Sequence, residues 1–515
     1  MRKAYFWVFG VLILLGLADS IFLTWEHYAL TSVGCPVSPW INCLAVTSSK
    51  YSEIFGIPLS LLGSFYYVLL SVFLLRSNEN AKNNNKMFKH FFLLTSSFGV
   101  LFSLYLTYIQ AFEIRLFCLY CLASAIISFL IFGFSFIFFD REWKTLLIDS
   151  LGYVYKYLLK PIFFLIDAEV IHVSMVRFGE MLPRKILLFL KSIFVKKYPN
   201  LRQKIVNHDF KTPIGLAAGF DYEARLTQVL PYIGFGFETI GTITNSSYEG
   251  NPKPMLGRLP KSQSLLVNKG FKNLGVKETL KRLSGKKFLY PVGISIGRTN
   301  SIKLDTLEKS IDDIASAFKE VKKSKVNNSY FELNISCPNI IHNSGIDFYK
   351  PLNLAKLLTA VDKINLNKPL FVKMPIDQTD KNSLAMLKVI SKHKVKGIIF
   401  GNLQTNKKHK VLVSEEVKKF KMGKYSGKPT FEDSNRLIKL TYKNFKGRFI
   451  IIGCGGVFNA EDAWVKFTNG ANLVQLITGM IFEGPQLIAQ INRDISMRLT
   501  KEGYKNISQI VGSAV

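Results

Sequence analysis

Four stretches in the first 140 residues are apolar for long enough to cross a bilayer. They run at about 4–25, 56–76, 90–112 and 116–139, and a helix needs about 20 such residues to span hydrocarbon. Backbone groups in lipid must satisfy one another, so continuous apolar runs of this length are read as helices. No small-residue cleavage site follows the first run, which therefore reads as a retained helix and not a leader. Lys and Arg sort the connecting segments. Arg2 and Lys3 precede the first run, Arg76, Lys82, Lys86 and Lys89 surround the second connection, and Arg141 and Lys144 follow the fourth run. The alternate connections hold only Lys50 and Arg115. This pattern predicts cytoplasmic termini for the bundle, a cytoplasmic 77–89 loop and an outer 26–55 loop.

The rest of the 515-residue chain has a different composition. Residues 1–144 hold ten Lys+Arg and seven Asp+Glu, while 145–515 hold 57 and 29, a charge of +28. The first part is a membrane unit and the second a basic, soluble-looking one. A basic body can attract nucleic acid, but one tethered to a membrane more simply faces anionic lipid. No nucleic-acid partner is expected; the lipid bilayer is. Between the two, residues 145–205 mix apolar and basic residues. Phe163, Ile166, Val170, Ile171, Val173 and Met175 recur at helical spacing. They predict amphipathic helices on a membrane surface; the alternative is packing on the domain that follows. The chain divides on this reading into 1–144, 145–205 and 206–515.

Four of the six cysteines, Cys35, Cys43, Cys118 and Cys121, fall in the membrane unit, and Cys337 and Cys454 fall beyond it. The charge-derived topology puts the first four at the outer face, so the chain straddles two redox compartments. Cys118 and Cys121 form a Cys-x-x-Cys pair opening the fourth run, where a helix N-terminus favours thiolate. Two dithiol pairs can exchange a disulfide by thiolate attack. Two static disulfides, or a four-cysteine metal site, are the alternatives.

Residues 42–63, NCLAVTSSKYSEIFGIPLSLLG, followed by CLYC before a helix, resemble the bacterial form of the vitamin K epoxide reductase family over about residues 5–140. The resemblance implies a four-helix transmembrane bundle holding a quinone, ubiquinone or menaquinone, beside the CxxC. It implies that Cys35 and Cys43 take electrons from a thioredoxin-fold partner and pass them to Cys118 and Cys121, which reduce the quinone. Ser49 matches the family's loop Ser/Thr. Many bacterial members carry a fused thioredoxin domain; without one here, a separate periplasmic thioredoxin-fold thiol oxidase is expected as partner. Ala125 stands where animal members place a Tyr, which favours plain quinone reduction over epoxide chemistry.

From residue 214 onward, short apolar runs alternate with Lys/Glu-rich helical segments. The runs are Ile214–Ala217, Phe237–Ile243, Pro291–Ile296, Tyr330–Ile335, Leu370–Met374, Gly397–Phe400, Phe449–Gly453 and Leu473–Leu476. Eight such units predict an α/β fold, a (β/α)8 TIM barrel, whose chemistry sits just past the C-terminal strand ends. Those positions hold Ala217–Asp221 (AAGFD), Gly241 and Thr242, Asn334–Asn339 (NISCPN), Lys373, Asn402, Ser426–Pro429 (SGKP), Gly453–Gly456 (GCGG), and Thr478 with Gly479. Glycines after strand seven together with TG after strand eight point to a phosphorylated ligand such as FMN.

GLAAGFD, FGFETIGTIT, EGNPKPMLGRLP, NISCPN, FVKMP, IIGCGGV and LVQLITGMIFEGP, in this order, resemble dihydroorotate dehydrogenase over about residues 155–495. KPIFFLIDAEVIH resembles the membrane-docking helices of the quinone-dependent class. The resemblance implies FMN in the barrel mouth, oxidation of dihydroorotate to orotate as a step of pyrimidine biosynthesis, and electrons leaving to quinone. It assigns Cys337 as the base that removes the C5 proton, where this class usually has Ser; a buried packing thiol is the alternative. Asn334, Asn339, Asn402, Phe271 and Tyr222 match substrate positions. Ala218, Gly219, Thr242, Asn334, Lys373, Gly427, Gly455, Gly456, Ile477 and Thr478 match the flavin shell. No metal site is expected.

Several positions depart from the family. Tyr222 replaces a Lys, Val267 and Lys272 replace Asn residues, Ser295 stands where an Asn often contacts flavin, and Gly401 and Leu403 flank Asn402 where Thr is common. Lys269 or Lys272 could restore the missing charge. The expected protein is a bifunctional, multi-pass oxidoreductase of the bacterial inner membrane, with its cysteine loops outside and its barrel in the cytoplasm. The alternatives are a barrel acting on a relative of dihydroorotate or another substrate, and a non-catalytic ligand-binding barrel.

Overall fold

The computed structural model describes residues 2–29, 33–78, 84–139, 143–342 and 345–515. Of the charges used to orient the spans, Lys82 and Arg141 lie outside the described residues, as do the side chains of Arg2, Lys3 and Lys86. The chain divides into two compact units, Met1–Tyr153 and Val154–Val515.

The first unit is built on the helices Arg2–Ala29, Leu59–Asn78, Asn84–Tyr108 and Leu119–Phe139. Three segments, Phe6–Ala29, Leu59–Ser77 and Phe88–Ile114, are long and apolar enough to cross a membrane; the fourth helix is apolar over Leu119–Ser135. The third is prolonged by a π-helical turn, Ile109–Ile114, that stops at Arg115 in the left-handed region (φ 61°). The helices meet through Phe9, Ile13, Tyr67, Leu70, Leu74, Phe92 and Ile131. Lipid offers no hydrophobic drive between helices, so close packing must hold them. Gly16 and Gly99 serve this purpose, because a Cβ on either would overlap the ring of Tyr67 or Tyr66.

In the second unit eight parallel strands close into a barrel: Ile214–Leu216, Phe237–Ile243, Val292–Ile296, Tyr330–Asn334, Leu370–Met374, Val395–Phe400, Ile450–Cys454 and Leu473–Leu476. Each of the eight runs read from the sequence contributes one strand. They are legible because parallel barrel strands are covered on both faces and are mostly apolar, with buried polar residues such as Glu238, Glu332, Lys373 and Gln475 as exceptions. The third strand begins at Val292 and not Pro291, since proline has no N–H to give the ladder. Phe210 closes the lower end of the barrel, packing against Phe237 at 5.4 Å between ring centroids.

A separate antiparallel sheet, Leu256–Leu259, Ser264–Val267 and Lys424–Gly427, stands beside the mouth. The buried carboxylate of Glu416 pins its first turn, accepting from the amides of Lys261 and Ser262 at 2.9 Å and from Ser262 Oγ at 2.6 Å.

The helices Ala168–Met181 and Arg184–Phe194 precede the barrel. Val176, Leu187, Ile193 and Phe194 are buried, whereas Val170, Phe178, Met181, Leu188 and Phe189 are exposed. Packing on the following domain accounts for one apolar face of these helices. The other is left uncovered.

Candidate functional site

Sheet alternation sends every second residue of a barrel strand inward. On Tyr330–Asn334 these are Tyr330, Glu332 and Asn334, and on Leu370–Met374 they are Phe371 and Lys373, with Asn334 and Lys373 paired in register. Asn334 and Lys373 end their strands and so stand at the mouth. Twelve of the residues singled out in the sequence line one cavity there: Ala218, Gly219, Tyr222, Thr242, Phe271, Asn334, Cys337, Asn339, Lys373, Asn402, Ile477 and Thr478. Gly427, Gly455 and Gly456 are not among its lining residues. Gly427 has φ 83°, and a Cβ there would fall 2.8 Å from Thr478 Cγ2. Gly456 has φ 72°, and its Cβ would fall 2.5 Å from Phe431 Cβ. Thr478 Oγ1 lies 2.8 Å from Ser426 Oγ, tying the loop after the last strand to the antiparallel sheet.

A hydrogen-bonded file of polar side chains runs from the core to the mouth. Ser295 Oγ donates to Glu332 at 2.7 Å and lies 2.8 Å from Thr242 Oγ1. Asn334 Nδ2 donates to Thr242 Oγ1 at 2.9 Å, and Asn334 Oδ1 accepts from Ser336. Asn402 Nδ2 donates to Ser336 Oγ at 2.6 Å. The file fixes the orientation of both amides, and Ser295 takes part through a carboxylate on the neighbouring strand. Lys373 is buried, and among the described residues no carboxylate forms a salt bridge with it. Cys337 is half-buried and faces the cavity. Burial pushes its thiol up to about 11, against the opposing pull of the Asn339 amide and of Lys373.

One side of the cavity was not legible residue by residue. Helix Ala168–Met181 brings Glu169 and His172 to the loop 267–272. Glu169 pairs with Lys269 at 3.2 Å and with Lys272 at 3.4 Å. The Lys269 ammonium sits 4.3 Å from the centroid of the Tyr222 ring, and that ring stacks with His172 at 5.6 Å. Burial and the two lysines push His172 down to about 3, so it stays neutral. Lys269 was recognisable as a spare charge, but His172 and Glu169 had no sequence signal beyond an amphipathic helix.

In the first unit, Cys35 and Cys43 form a disulfide (Cα–Cα 6.2 Å), and Cys118 and Cys121 are free thiols. The arrangement is one disulfide and one dithiol, so neither two static disulfides nor a set of four thiolates describes it. Cys43 and Cys118 are both buried in one cluster with Leu23 and Val46. Cys118 directly precedes helix Leu119–Phe139, its amide donating to Gln110 Oε1 at 2.8 Å, and the Cys121 amide donates to Cys118 Sγ at 3.3 Å. Cys121 also borders an apolar cavity of about 500 Å³, lined further by Ser49, Tyr66, Tyr67, Ser124 and Ser128. That volume falls within the about 300–1,000 Å³ usual for small-molecule sites. Tyr67 Oη lies 2.9 Å from Ser124 Oγ.

Two family models match the chain. Dihydroorotate dehydrogenase matches residues 200–499, and the vitamin K epoxide reductase family matches residues 7–136. A dihydroorotate dehydrogenase (quinone) of Trichodesmium erythraeum is 34% identical over 340 residues, which are 63% of this chain and 86% of the relative. One from Christiangramia forsetii is 36% identical over 348 residues, 66% of this chain and 98% of the relative. Among solved structures, the DHODH of Eimeria tenella in complex with ferulenol superposes with a TM-score of 0.59 at 25% identity. It covers 68% of this chain and 96% of its own.

Proposed function

The chain belongs to the dihydroorotate dehydrogenase family, and from that premise we propose a membrane-bound oxidoreductase with two separate routes to quinone. One oxidises dihydroorotate to orotate in the barrel. The other takes electrons from protein thiols in the helical unit, whose residues 7–136 match the vitamin K epoxide reductase family.

The observation that carries the first route is the convergence of Cys337, Asn334, Asn339, Asn402 and Lys373 on one cavity at the C-terminal strand ends. Asn334, Asn339 and Asn402 offer amide donors and acceptors to a pyrimidine ring. Cys337 Sγ takes the C5 proton, and must be thiolate to do so. The cavity's donor set suits FMN. Lys373 is a buried lysine that no carboxylate pairs with among the described residues, and Gly427 and Gly456 keep backbone open where a Cβ would intrude. Lys373 would face the flavin, and the segments around Gly427, Gly456 and Thr478 would hold its phosphate. When bound, FMN supplies the hydride acceptor for C6. Quinone is the final acceptor, as in the relatives named for it. The exposed apolar face of helices Ala168–Met181 and Arg184–Phe194 supports docking on the bilayer that dissolves the quinone.

In the second route a thiolate of a thioredoxin-fold partner attacks the Cys35–Cys43 disulfide at the more accessible Cys35. The partner's second thiol resolves the mixed disulfide and the partner leaves oxidised. Cys43 then attacks an oxidised Cys118–Cys121 pair, which restores the loop disulfide and leaves Cys118 and Cys121 as thiols. Those two thiols give two electrons and two protons to the quinone and return to a disulfide. The Cys35–Cys43 disulfide beside the free Cys118 and Cys121 thiols supports this order of steps. Placement of Lys and Arg supports cysteines outside and barrel inside a bacterial cytoplasmic membrane.

The test is anaerobic mixing of detergent-purified protein with dihydroorotate while following the flavin absorbance. Bleaching supports the proposal. A bound flavin that dihydroorotate leaves oxidised would sink it, and would favour the second reading to which Tyr222, Val267 and Lys272 point, a barrel with a different substrate. A flavin that no pyrimidine reduces would favour a binding module.

A further inference from the structure

We propose that Lys269 is the residue that anchors the substrate's carboxylate, and that the ring of Tyr222 is the platform that holds its ammonium in place. The inference rests on the reading of the barrel as a dihydroorotate dehydrogenase.

The argument begins with charge. Three lysines line the cavity, Lys269, Lys272 and Lys373, and among its lining residues there is no Asp or Glu. On the side bounded by Lys269 one carboxylate serves two ammonium groups. Lys269 and Lys272 share the single carboxylate of Glu169. The nearby Glu223 and Glu180 are engaged by Arg225 and Arg282. Glu169 is thus the one carboxylate that the two lysines have between them, and His172 adds no negative charge. A buried cation in excess is costly unless an anion meets it.

Geometry then separates the two lysines that share Glu169. The Lys269 side chain is 9% exposed and that of Lys272 26%. Lys269 alone has its ammonium over an aromatic ring, at 4.3 Å. That contact is attractive in itself and leaves the remaining ammonium protons directed elsewhere. Tyr222 follows Asp221, whose carboxylate is fixed by the amides of Arg225 and Leu226 at 2.8 and 2.7 Å. The platform is therefore rigid. The loop 267–272 thus brings a cation to the part of the cavity that Tyr222 lines. An anionic group on a pyrimidine is the ligand chemistry this arrangement fits.

The experiment compares orotate with uracil, the same ring without the carboxylate, by equilibrium dialysis against the full-length, FMN-loaded protein in detergent. Wild type is expected to prefer orotate. In Lys269→Met the orotate affinity should fall about ten- to a hundredfold, the size of one charge-assisted hydrogen bond, with uracil affinity unchanged, and Lys269→Arg should recover part of the preference. Because Lys269→Met leaves Glu169 with Lys272 as its one remaining ion-pair partner among the described residues and can disturb the loop, the Glu169→Gln/Lys269→Met pair is measured beside it. An unchanged orotate-to-uracil ratio in both would overturn the inference. So would loss of the preference in Lys272→Met with its retention in Lys269→Met. A wild-type protein that neither oxidises dihydroorotate nor distinguishes the two rings removes the underlying function, a result distinct from either.

Discussion

The backbone amide of Asn42 donates to the carbonyl of Phe117 at 3.1 Å. Each of these residues is followed by a cysteine, so this bond, with Phe117 N–H to Trp40 O at 2.8 Å, holds Cys43 beside Cys118. The exchange step then needs no large loop movement. In Cys35→Ala/Cys121→Ala, each remaining cysteine has lost its own partner, and Cys43 and Cys118 should form a disulfide with each other. Peptide mapping without reductant reads it directly. If both sulfurs stay free under mild oxidant, the relay through Cys43 is wrong.

On the proposed mechanism Cys337 acts as base only when deprotonated, and burial pushes it up to about 11. The active fraction therefore grows as pH rises. Single-turnover flavin reduction should accelerate through neutral and into alkaline pH. Cys337→Ala should slow it by about 10²- to 10⁴-fold. Cys337→Ser should keep some activity with the rise displaced to higher pH, because a hydroxyl ionises less readily. A flat profile in wild type would remove Cys337 from this role.

Orotate affinity should fall as pH rises past about 8. Burial lowers the Lys269 ammonium to about 8, with Glu169 opposing; it is charged below that pH and neutral above. The groups around it are Glu169 and His172 from the helix, Lys272 on its own loop, and Tyr222 and Glu223 after the first strand. His172, pushed down to about 3, does not titrate in the same interval. Isothermal titration at pH 6.5, 8 and 9.5 checks the trend, and Lys269→Met should flatten it.

Glu416→Gln should destabilise the second unit by about 1–3 kcal/mol, because an amide group then faces the donors of Lys261 and Ser262. Thermal unfolding with and without the substitution measures this. An unchanged midpoint would mean that the turn is held by other contacts.

Gly456→Ala places a methyl 2.5 Å from Phe431 Cβ at φ 72°, adding about 1–2 kcal/mol of backbone strain. The purified variant should carry less flavin per chain, read from the ratio of visible to ultraviolet absorbance.

The barrel was legible because its strands are short, local and mostly apolar. Leu473–Leu476 or Leu370–Met374 can be read off without knowing any partner. The antiparallel sheet could not be, because Ser264–Val267 pairs with Lys424–Gly427 across some 160 residues and neither run alternates clearly. The same limit hid one wall of the site. Cys337, Asn334 and Lys373 follow strand ends and were found by that rule. Glu169 and His172 enter only when a helix far earlier in the chain folds across the mouth, and Lys269 takes on meaning only from its distance to Tyr222. In the first unit the apolar runs marked the helices, while the π-helical turn Ile109–Ile114 that ends the third leaves no trace in hydropathy.

Helices Ala168–Met181 and Arg184–Phe194 turn Phe178, Met181 and Phe189 outward, each at least 60% exposed. A protease cutting ahead of Val154 would not release a water-loving enzyme. The severed piece would still carry a greasy sole of its own and would pellet with vesicles or clump without them. On the proposed docking, attachment of the barrel to lipid is written twice in this chain, and deleting the spans erases only one copy.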